Sequence, residues 1–394
     1  MGKMQKYNVI IIGGGASGVM TALACGDKNK SVAIIDSGSF VGKKLLSTGN
    51  GKCNLTNLKM NSSFYNQNID MFLKKFDEKN AINFFDSIGL VTKADECGRV
   101  YPFSNTARSV VDVIENRLNE LDVVRLIGKK VNNIEKIDEG FVVTTEQERK
   151  VEKLFAKKLV LATGGNSLFE ILKSFGLNFS SISPSLVALK TKESTKHLSG
   201  VRVSNVKASA ISKINSIETT KEEFGEILFK DNGLSGIAVL NLSTVFARNY
   251  NFSGKIFIDF IPKTDEKELI QILNSRKELS GNILIGFLND IIAKEIFERL
   301  HLNFKMQNIL LTDKNICDIA KLMKRLDFTV CEPYDNNQIY SGGVLLSQLS
   351  EILESKIIPN LFVCGELCDV DGETGGYNLQ WAWTSGYIVG ENLW

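Results

Sequence analysis

Histidine is almost missing from this chain: His197 and His301 are the only two in 394 residues. Neither sits in a metal-ligand spacing, which argues against a zinc centre and against a histidine-based triad, although one histidine can still serve as a base. No metal ligand set is therefore expected. Cysteine occurs seven times, at 25, 53, 97, 317, 331, 364 and 368, but no C-x-x-C pair is present. Neither a redox dithiol nor a zinc ribbon is spelled out, and the scattered thiols point to a reducing compartment, expected to be the cytoplasm. An excess of one charge is lacking too: 47 Lys and Arg face 45 Asp and Glu, a formal net charge of +2. That balance gives no reason to expect nucleic acid or an acidic membrane as partner. Long apolar runs are absent. The run from Val9 is broken by glycines at 13–15, too early to span a bilayer, and Met1 to Lys6 has no signal-peptide character.

What remains is an ordinary globular composition, 43% hydrophobic and 23% charged, in a chain long enough for two or three folding units. Tyr7 to Ile12 is rich in β-branched residues and reads as a strand buried on both faces. Gly13, Gly15 and Gly18 follow as G-x-G-x-x-G, Val19 to Cys25 reads as a helix, and Ser31 to Ile35 as a second strand ending at Asp36. In such a unit the first glycine allows the turn, the second admits a pyrophosphate, and the third lets helix and strand pack. The helix start offers free N–H groups to phosphate, and Asp36 is placed to accept from a ribose diol. A dinucleotide site is expected here.

The next stretch, VGKKLLSTGNGKCNLTN, leaves the plain βαβ pattern. Gly49 and Gly51 permit close backbone approach, and Thr48, Asn50, Lys52 and Asn54 supply polar groups. That composition suits a loop laid against the reactive half of FAD, which is longer than NAD at that end; the alternative is an Asx-rich surface turn. Cys53 has no obvious resolving cysteine or histidine partner and is not expected to be a catalytic thiol.

GGGASG, KKLLSTGNGKCNLTN and the late GELCDVDGETGGYNLQWAWTSG together resemble the BaiN-like flavoproteins, NAD(P)/FAD-dependent oxidoreductases related to glutathione-reductase-type and fumarate-reductase-type folds. GRVYPFSNTARSVVDVI, LVLATGG, GEILFKDNGLSG and YSGGV extend the resemblance along nearly the whole chain. Asp36 stands where such families often have Glu, Lys52 where Arg is usual, and Ile237 where Pro is common. The loss of Arg at 52 removes a planar bidentate contact. The resemblance implies bound FAD, with Ala16, Ser17, Lys44, Leu45, Gly49 to Asn54, Val131, Thr163 and Gly164 around it. It also places a carboxylate of the Gly365–Asp371 segment, either Glu366 or Asp369, on the ribityl chain. The helix start at Gly376, Tyr377, Asn378 and Leu379 then lies beside the flavin pyrimidine, where its dipole favours negative charge on the ring. Trp381 and Trp383 are expected to pack rather than stack on flavin. Tyr377 and Asn378 are left open as cofactor contacts or proton donors, and no catalytic residue is assigned.

The expected fold is α/β: a Rossmann-type FAD domain in two segments, 1–185 and 335–394, with an inserted β-rich part at 186–263, a helical subdomain at 264–304 and a return at 305–334. No second G-x-G-x-x-G lies in the insertion, so no separate nicotinamide domain is expected. Asp265 with Glu268 reads as a substitute capping box, and Lys314 to Leu326 as a helix. Ser341, Gly342 and Gly343 read either as backbone facing a substrate pocket under the insertion or as a tight turn. The expected activity is hydride transfer from diffusible NAD(P)H through flavin N5 to an unsaturated, enone-like small molecule. The alternatives are an oxygen-dependent oxidase of a small amine and a non-enzymatic flavin sensor or subunit.

Overall fold

The computed structural model describes residues 4–25, 30–165, 168–214, 217–249, 252–304, 311–335 and 339–394. They form two compact units, 1–182 with 340–394, and 183–339.

The first unit is organised by a mixed sheet. Strand β1 (Gln5–Ile12) pairs in parallel with β2 (Val32–Asp36) on one side and with the strand Lys150–Leu161 on the other. Val124–Ile127 extends the sheet in parallel beyond β2, and Leu361–Val363 pairs in parallel with the end of Lys150–Leu161. The first half of that long strand instead pairs antiparallel with Gly140–Gln147, which pairs with Lys130–Ile137. Val9 to Ile12, Ala33 to Ile35 and Leu159 to Leu161 are all buried, as continuous apolar runs under two covered faces should be.

Helix α1 (Ala16–Ala24) packs on β1 and β2, and the carboxy-terminal helix Tyr377–Glu391 packs on α1. Their backbones nearly touch: a Cβ on Gly386 would sit 2.4 Å from the Ser17 carbonyl. Trp381 and Trp383 are buried packing residues, as expected. Their indoles donate to the carbonyls of Gly365 and Leu55, both at 3.0 Å, and they meet Phe72 and Phe85 edge-on.

In the second unit, six strands close into a barrel in the order Leu189–Thr191, Gly233–Ser235, Ile217–Lys230, Arg202–Ile214, Gly254–Asp259 and Leu326–Pro333. Helix Ile237–Arg248 packs on it, and helices Glu266–Asn274 and Asp290–Arg299 flank a 3-10 stretch at Lys277–Leu284. Asp265 does cap its helix, accepting from the Glu268 amide at 2.8 Å. The helix expected over 314–326 runs from Asp313 to Lys324 instead. Arg325 leaves helical geometry, and Leu326 opens the buried barrel strand, where its side chain joins the core. Residues 305–310 of the 305–334 stretch lie outside the described residues. Ser341 to Gly343 are not a tight turn: they lie in the strand Ile339–Val344.

Candidate functional site

Register brings the site together. Ile12 is paired with both Ile35 and Leu161, and Leu161 with Val363. Four parallel strands therefore end on one row, and the turns after them, 13–18, 36–42, 162–165 and 364–369, gather along one edge. Open α/β sheets bind ligands outside such carboxyl ends.

Gly13 adopts φ +107°, and a Cβ there would lie 2.3 Å from the Ala162 carbonyl, so this turn can be built only from glycine. Gly15 differs. Its φ of −77° is ordinary, and beyond its chain neighbours a Cβ there would meet none of the described residues within 4 Å. The open space faces the start of α1, which no side chain caps, so the amides of Ala16, Ser17 and Gly18 are placed for an anion.

Asp36 holds the neighbouring turn. Its Oδ2 accepts the Gly14 amide and its Oδ1 the Gly38 amide, each at 2.6 Å. Each carboxylate oxygen retains a second acceptor site. Its carbonyl accepts the Lys129 amide at 3.1 Å, which brings the half-turn before Val131 alongside.

The segment after β2 is wound into 3-10 turns at Lys43–Gly51, interrupted where Gly49 and Asn50 turn left-handed. Lys44 and Lys52 are exposed, whereas Leu45 and everything from Cys53 to Asn57 is buried. GKCNLTN is thus no surface turn from Cys53 onward. The Cys53 amide donates to the Thr48 carbonyl at 3.0 Å. The segment is tied to the carboxy-terminal helix by Thr56 Oγ1 donating to Gln380 Oε1 at 2.6 Å and Asn57 Nδ2 to the Gly375 carbonyl at 2.9 Å. Two buried polar atoms here have no hydrogen-bond partner among the described residues, Asn54 Oδ1 and Thr163 Oγ1. Each such atom costs about 1–3 kcal/mol unless something satisfies it.

Glu366 and Asp369 face different neighbours. Glu366 Oε1 accepts the Tyr340 amide at 2.7 Å, and Oε2 lies 3.7 Å from the Lys44 ammonium and 3.2 Å from where a Gly164 Cβ would be. Asp369 is turned toward the 66–67 loop, with Asn66 Nδ2 donating to its carbonyl at 3.2 Å and to Oδ1 at 3.4 Å. Buried Asp371 accepts from Ser341 Oγ at 3.0 Å. Ser341, Asn66 and Asp371 form a cluster that chain distance hides: they lie on three separate segments.

The helix start at Gly376 also lacks a side-chain cap. Asn378, however, spends its amide on the preceding loop: its Oδ1 accepts the Gly372 amide at 2.8 Å, and its Nδ2 donates to the carbonyls of Gly372 and Glu373. Tyr377 stacks on Phe64 with ring centres 4.4 Å apart. Burial, helped by Glu373, pushes its hydroxyl up to about 12. Leu379 is half-buried one turn on.

All seven cysteines are free. Burial pushes the Cys53 thiol up to about 12 against a lowering contact from Thr48, and Cys364 up to about 11. Neither is a thiolate at neutral pH. In the other unit, His197 Nε2 lies 2.5 Å from Glu295 Oε2, while Glu295 Oε1 accepts from Arg299 at 2.7 Å. With Glu298 they place ligand atoms within 4.8 Å of one another. The buried carboxylate is already satisfied by imidazole and guanidinium. Sequence spacing gave no sign of this trio, because it joins segments 98 residues apart.

The sequence model of the HI0933-like protein Rossmann domain matches residues 7–392. A 3-dehydro-bile acid delta(4,6)-reductase of Clostridium scindens is 32% identical over 96% of this chain and 97% of its own length. A ribosomal RNA dihydrouridine synthase of Escherichia coli is 29% identical over 99% of this chain and 98% of its own. Among solved structures, 3-ketosteroid delta1-dehydrogenase from Sterolibacterium denitrificans aligns with a TM-score of 0.52 at 11% identity, covering 99% of both chains, a likeness of fold.

Proposed function

The chain belongs to the HI0933-like Rossmann family, and from that premise we propose that it is an FAD-dependent oxidoreductase that reduces a carbon–carbon double bond conjugated to a carbonyl, with NAD(P)H as donor. The observation that carries the cofactor is the row of strand ends: an open volume at Gly15, an uncapped helix start behind it, and two buried polar atoms, Asn54 Oδ1 and Thr163 Oγ1, with no partner among the described residues. A dinucleotide supplies what each lacks.

Gly13, Gly15, Ala16, Ser17 and Gly18 would hold the pyrophosphate, and Asp36 with the backbone at Val131 the adenosine. Thr163, Gly164 and Glu366 would meet the middle of the cofactor. Glu366 is preferred to Asp369 because it shares the strand-end row with Gly164 and Lys44. Lys44, Leu45 and Thr48 to Asn54 would wall one side, and the amides of Gly376 to Leu379 another. Bound flavin supplies hydride acceptance and donation. The protein's part is to orient it, to exclude water with the buried Cys53–Asn57 segment, and to place the uncapped helix start where negative charge gathers. Asn378 contributes its backbone amide, since its side chain is committed to the loop. The seven free cysteines fit a reducing compartment, the cytoplasm, and among the described residues no helix is long and apolar enough to cross a membrane.

The substrate class follows from what the relatives' names have in common. A delta(4,6)-reductase acting on a 3-dehydro bile acid and a synthase making dihydrouridine both add two hydrogens across a double bond conjugated to a carbonyl. A small enone is the first reading, carried by the relative of higher identity. A second reading, a uridine in ribosomal RNA, is favoured by the Escherichia coli relative's match over 99% of this chain.

Anaerobic titration of the purified protein tests the reading. Release of FAD on denaturation, bleaching of the flavin by NADH or NADPH, and reoxidation by a 3-oxo-4,6-diene or a uridine-containing RNA are expected. Release of FMN or of no flavin, or bleaching only by amines, overturns it.

A further inference from the structure

Two stretches that carry the family resemblance, GKCNLTN and GRVYPFSN, meet on a small three-stranded sheet. Thr56–Asn57 pairs with Arg99–Pro102, which pairs with Thr92–Ala94, so that Asn57 lies opposite Arg99 and Lys93 opposite Tyr101. Beside this sheet opens a recess of about 210 Å³, lined by Lys52, Lys93, Asp95, Arg99, Tyr101 and Asn105. Of these residues the cofactor reading uses only Lys52, as part of the 48–54 loop.

Its charge is built rather than scattered. Asp95 is consumed as a brace: Oδ1 accepts the amides of Cys97 and Arg99 at 3.0 and 2.9 Å, and Oδ2 accepts Arg99 Nε at 2.7 Å. The guanidinium is held in place while its charge is balanced. Lys52 and Lys93 are left over, and among the described residues no carboxylate lies within 4.0 Å of either ammonium. Beside Lys93 is an aromatic surface that a core-forming residue would not offer. Phe103 is 64% exposed, and Lys93 Nζ stands 5.0 Å from its ring centre. Cations beside an open ring are the means by which proteins hold a nucleotide, with phosphate on the charges and the base on the ring. The volume is below the roughly 300–1,000 Å³ of a pocket enclosing a whole ligand, so it suits one group of a larger one.

Position gives that group a purpose. The loop 48–54 has two faces, with Cys53 and Asn54 buried and Lys52 outside in the recess. On the recess side, the Tyr101 ring comes within 3.5 Å of where a Gly49 Cβ would be. A phosphate in the recess is therefore separated by one loop from the place proposed for the flavin.

We propose that this recess binds a phosphate of a nucleotide whose reactive ring is presented to the flavin. This rests on the oxidoreductase reading, which supplies two nucleotide sources, the NAD(P)H donor and a uridine substrate. Both share the phosphate and the base.

The test titrates FAD-loaded protein with NADPH, NADH and a short uridine oligoribonucleotide, in the wild type and in Lys93→Glu, with Lys93→Ala in reserve should the reversal fold poorly, and Phe103→Ala as an independent probe. Binding of at least one probe is expected to weaken about tenfold or more in the Lys93 variant, with a shallower dependence of log Kd on log salt and unchanged flavin content. A response confined to NADPH or NADH identifies the donor, and one confined to the oligoribonucleotide identifies the substrate; either supports the assignment. Wild-type protein that binds none of the three, or Lys93 and Phe103 variants that bind all probes as the wild type does, overturns it. Retained reductase turnover in variants with unchanged binding sinks the recess alone. Charge-dependent nucleotide binding without any flavin reduction sinks the oxidoreductase reading alone.

Discussion

Gly15→Val separates what the fold needs from what a ligand needs. The backbone at Gly15 has φ −77° and ψ −171°, a conformation a β-branched residue accepts. Beyond its two chain neighbours, no atom of the described residues lies within 4 Å of the new Cβ. Replacing Gly at this N-terminal helix boundary with Val costs on the order of 1 kcal/mol in capping preference, offset by about 0.4–1 kcal/mol from a stiffer unfolded chain. Stability without cofactor should therefore stay within about 1 kcal/mol of the wild type. Cofactor binding should not survive, because the isopropyl group occupies the volume in front of the α1 amides. The contrast is Gly18, where a Cβ would lie 1.9 Å from the Gly13 carbonyl; Gly18→Val should unfold the unit outright. Thermal melts with and without FAD make the comparison. At a hundredfold excess over Kd, FAD adds about 2.7 kcal/mol to a protein that binds it. The wild-type transition should rise on adding FAD, and the Gly15→Val transition should start near the wild-type apo value and not move. A folded Gly15→Val protein that retains a full complement of FAD refutes the placement of the phosphate cradle.

Cys53→Ser should keep FAD and most of the rate of flavin reduction, since the thiol is protonated and buried; loss of turnover with flavin bound would make it a participant. Asn54→Leu should lower flavin occupancy, because it removes the unpartnered amide oxygen and adds bulk in a buried loop; unchanged occupancy would show that the loop does not touch the cofactor. In native protein at pH 8, a thiol reagent should label exposed Cys97 and Cys331 and spare Cys53, Cys364 and Cys368, checked by mass mapping. Stability should fall as pH rises above about 9. An unfolded Cys53 ionises near 9 while the folded thiol holds its proton to about 12, so the folded state binds the extra proton across that window, at up to about 1.4 kcal/mol per pH unit. Denaturant melts of Cys53→Ser between pH 8 and 10 should show a shallower decline, and an identical one would contradict this ionisation.

The first βαβ unit was legible because each of its parts has a local cause. A β-branched run, three glycines at fixed offsets and an acid at the next strand's end need no distant residue to be read. The same holds for Asp265, whose cap is made three residues away, and for Trp381 and Trp383, whose small neighbours announce a close-packed helix. Asp36 shows the limit of that reading. Its position is clear and its bond to the Gly38 amide is local, but its bond to the Gly14 amide depends on how two turns meet. Asn378 is a sharper case, since its place at a helix start says nothing about a side chain that folds back onto Gly372. The end of the helix near 324 is hidden in the sequence because Leu326 satisfies helical spacing and barrel alternation equally, and only closure of the barrel decides between them. The recess at Lys52 and Arg99 was out of reach for the same physical reason. Lys52 and Arg99 are 47 positions apart, neither segment is periodic, and Asn57 opposite Arg99 is a pairing made by tertiary structure. Local rules identify the residues able to bind phosphate; only the register of a two-residue strand puts those cations on the outer side of the loop whose inner side is buried.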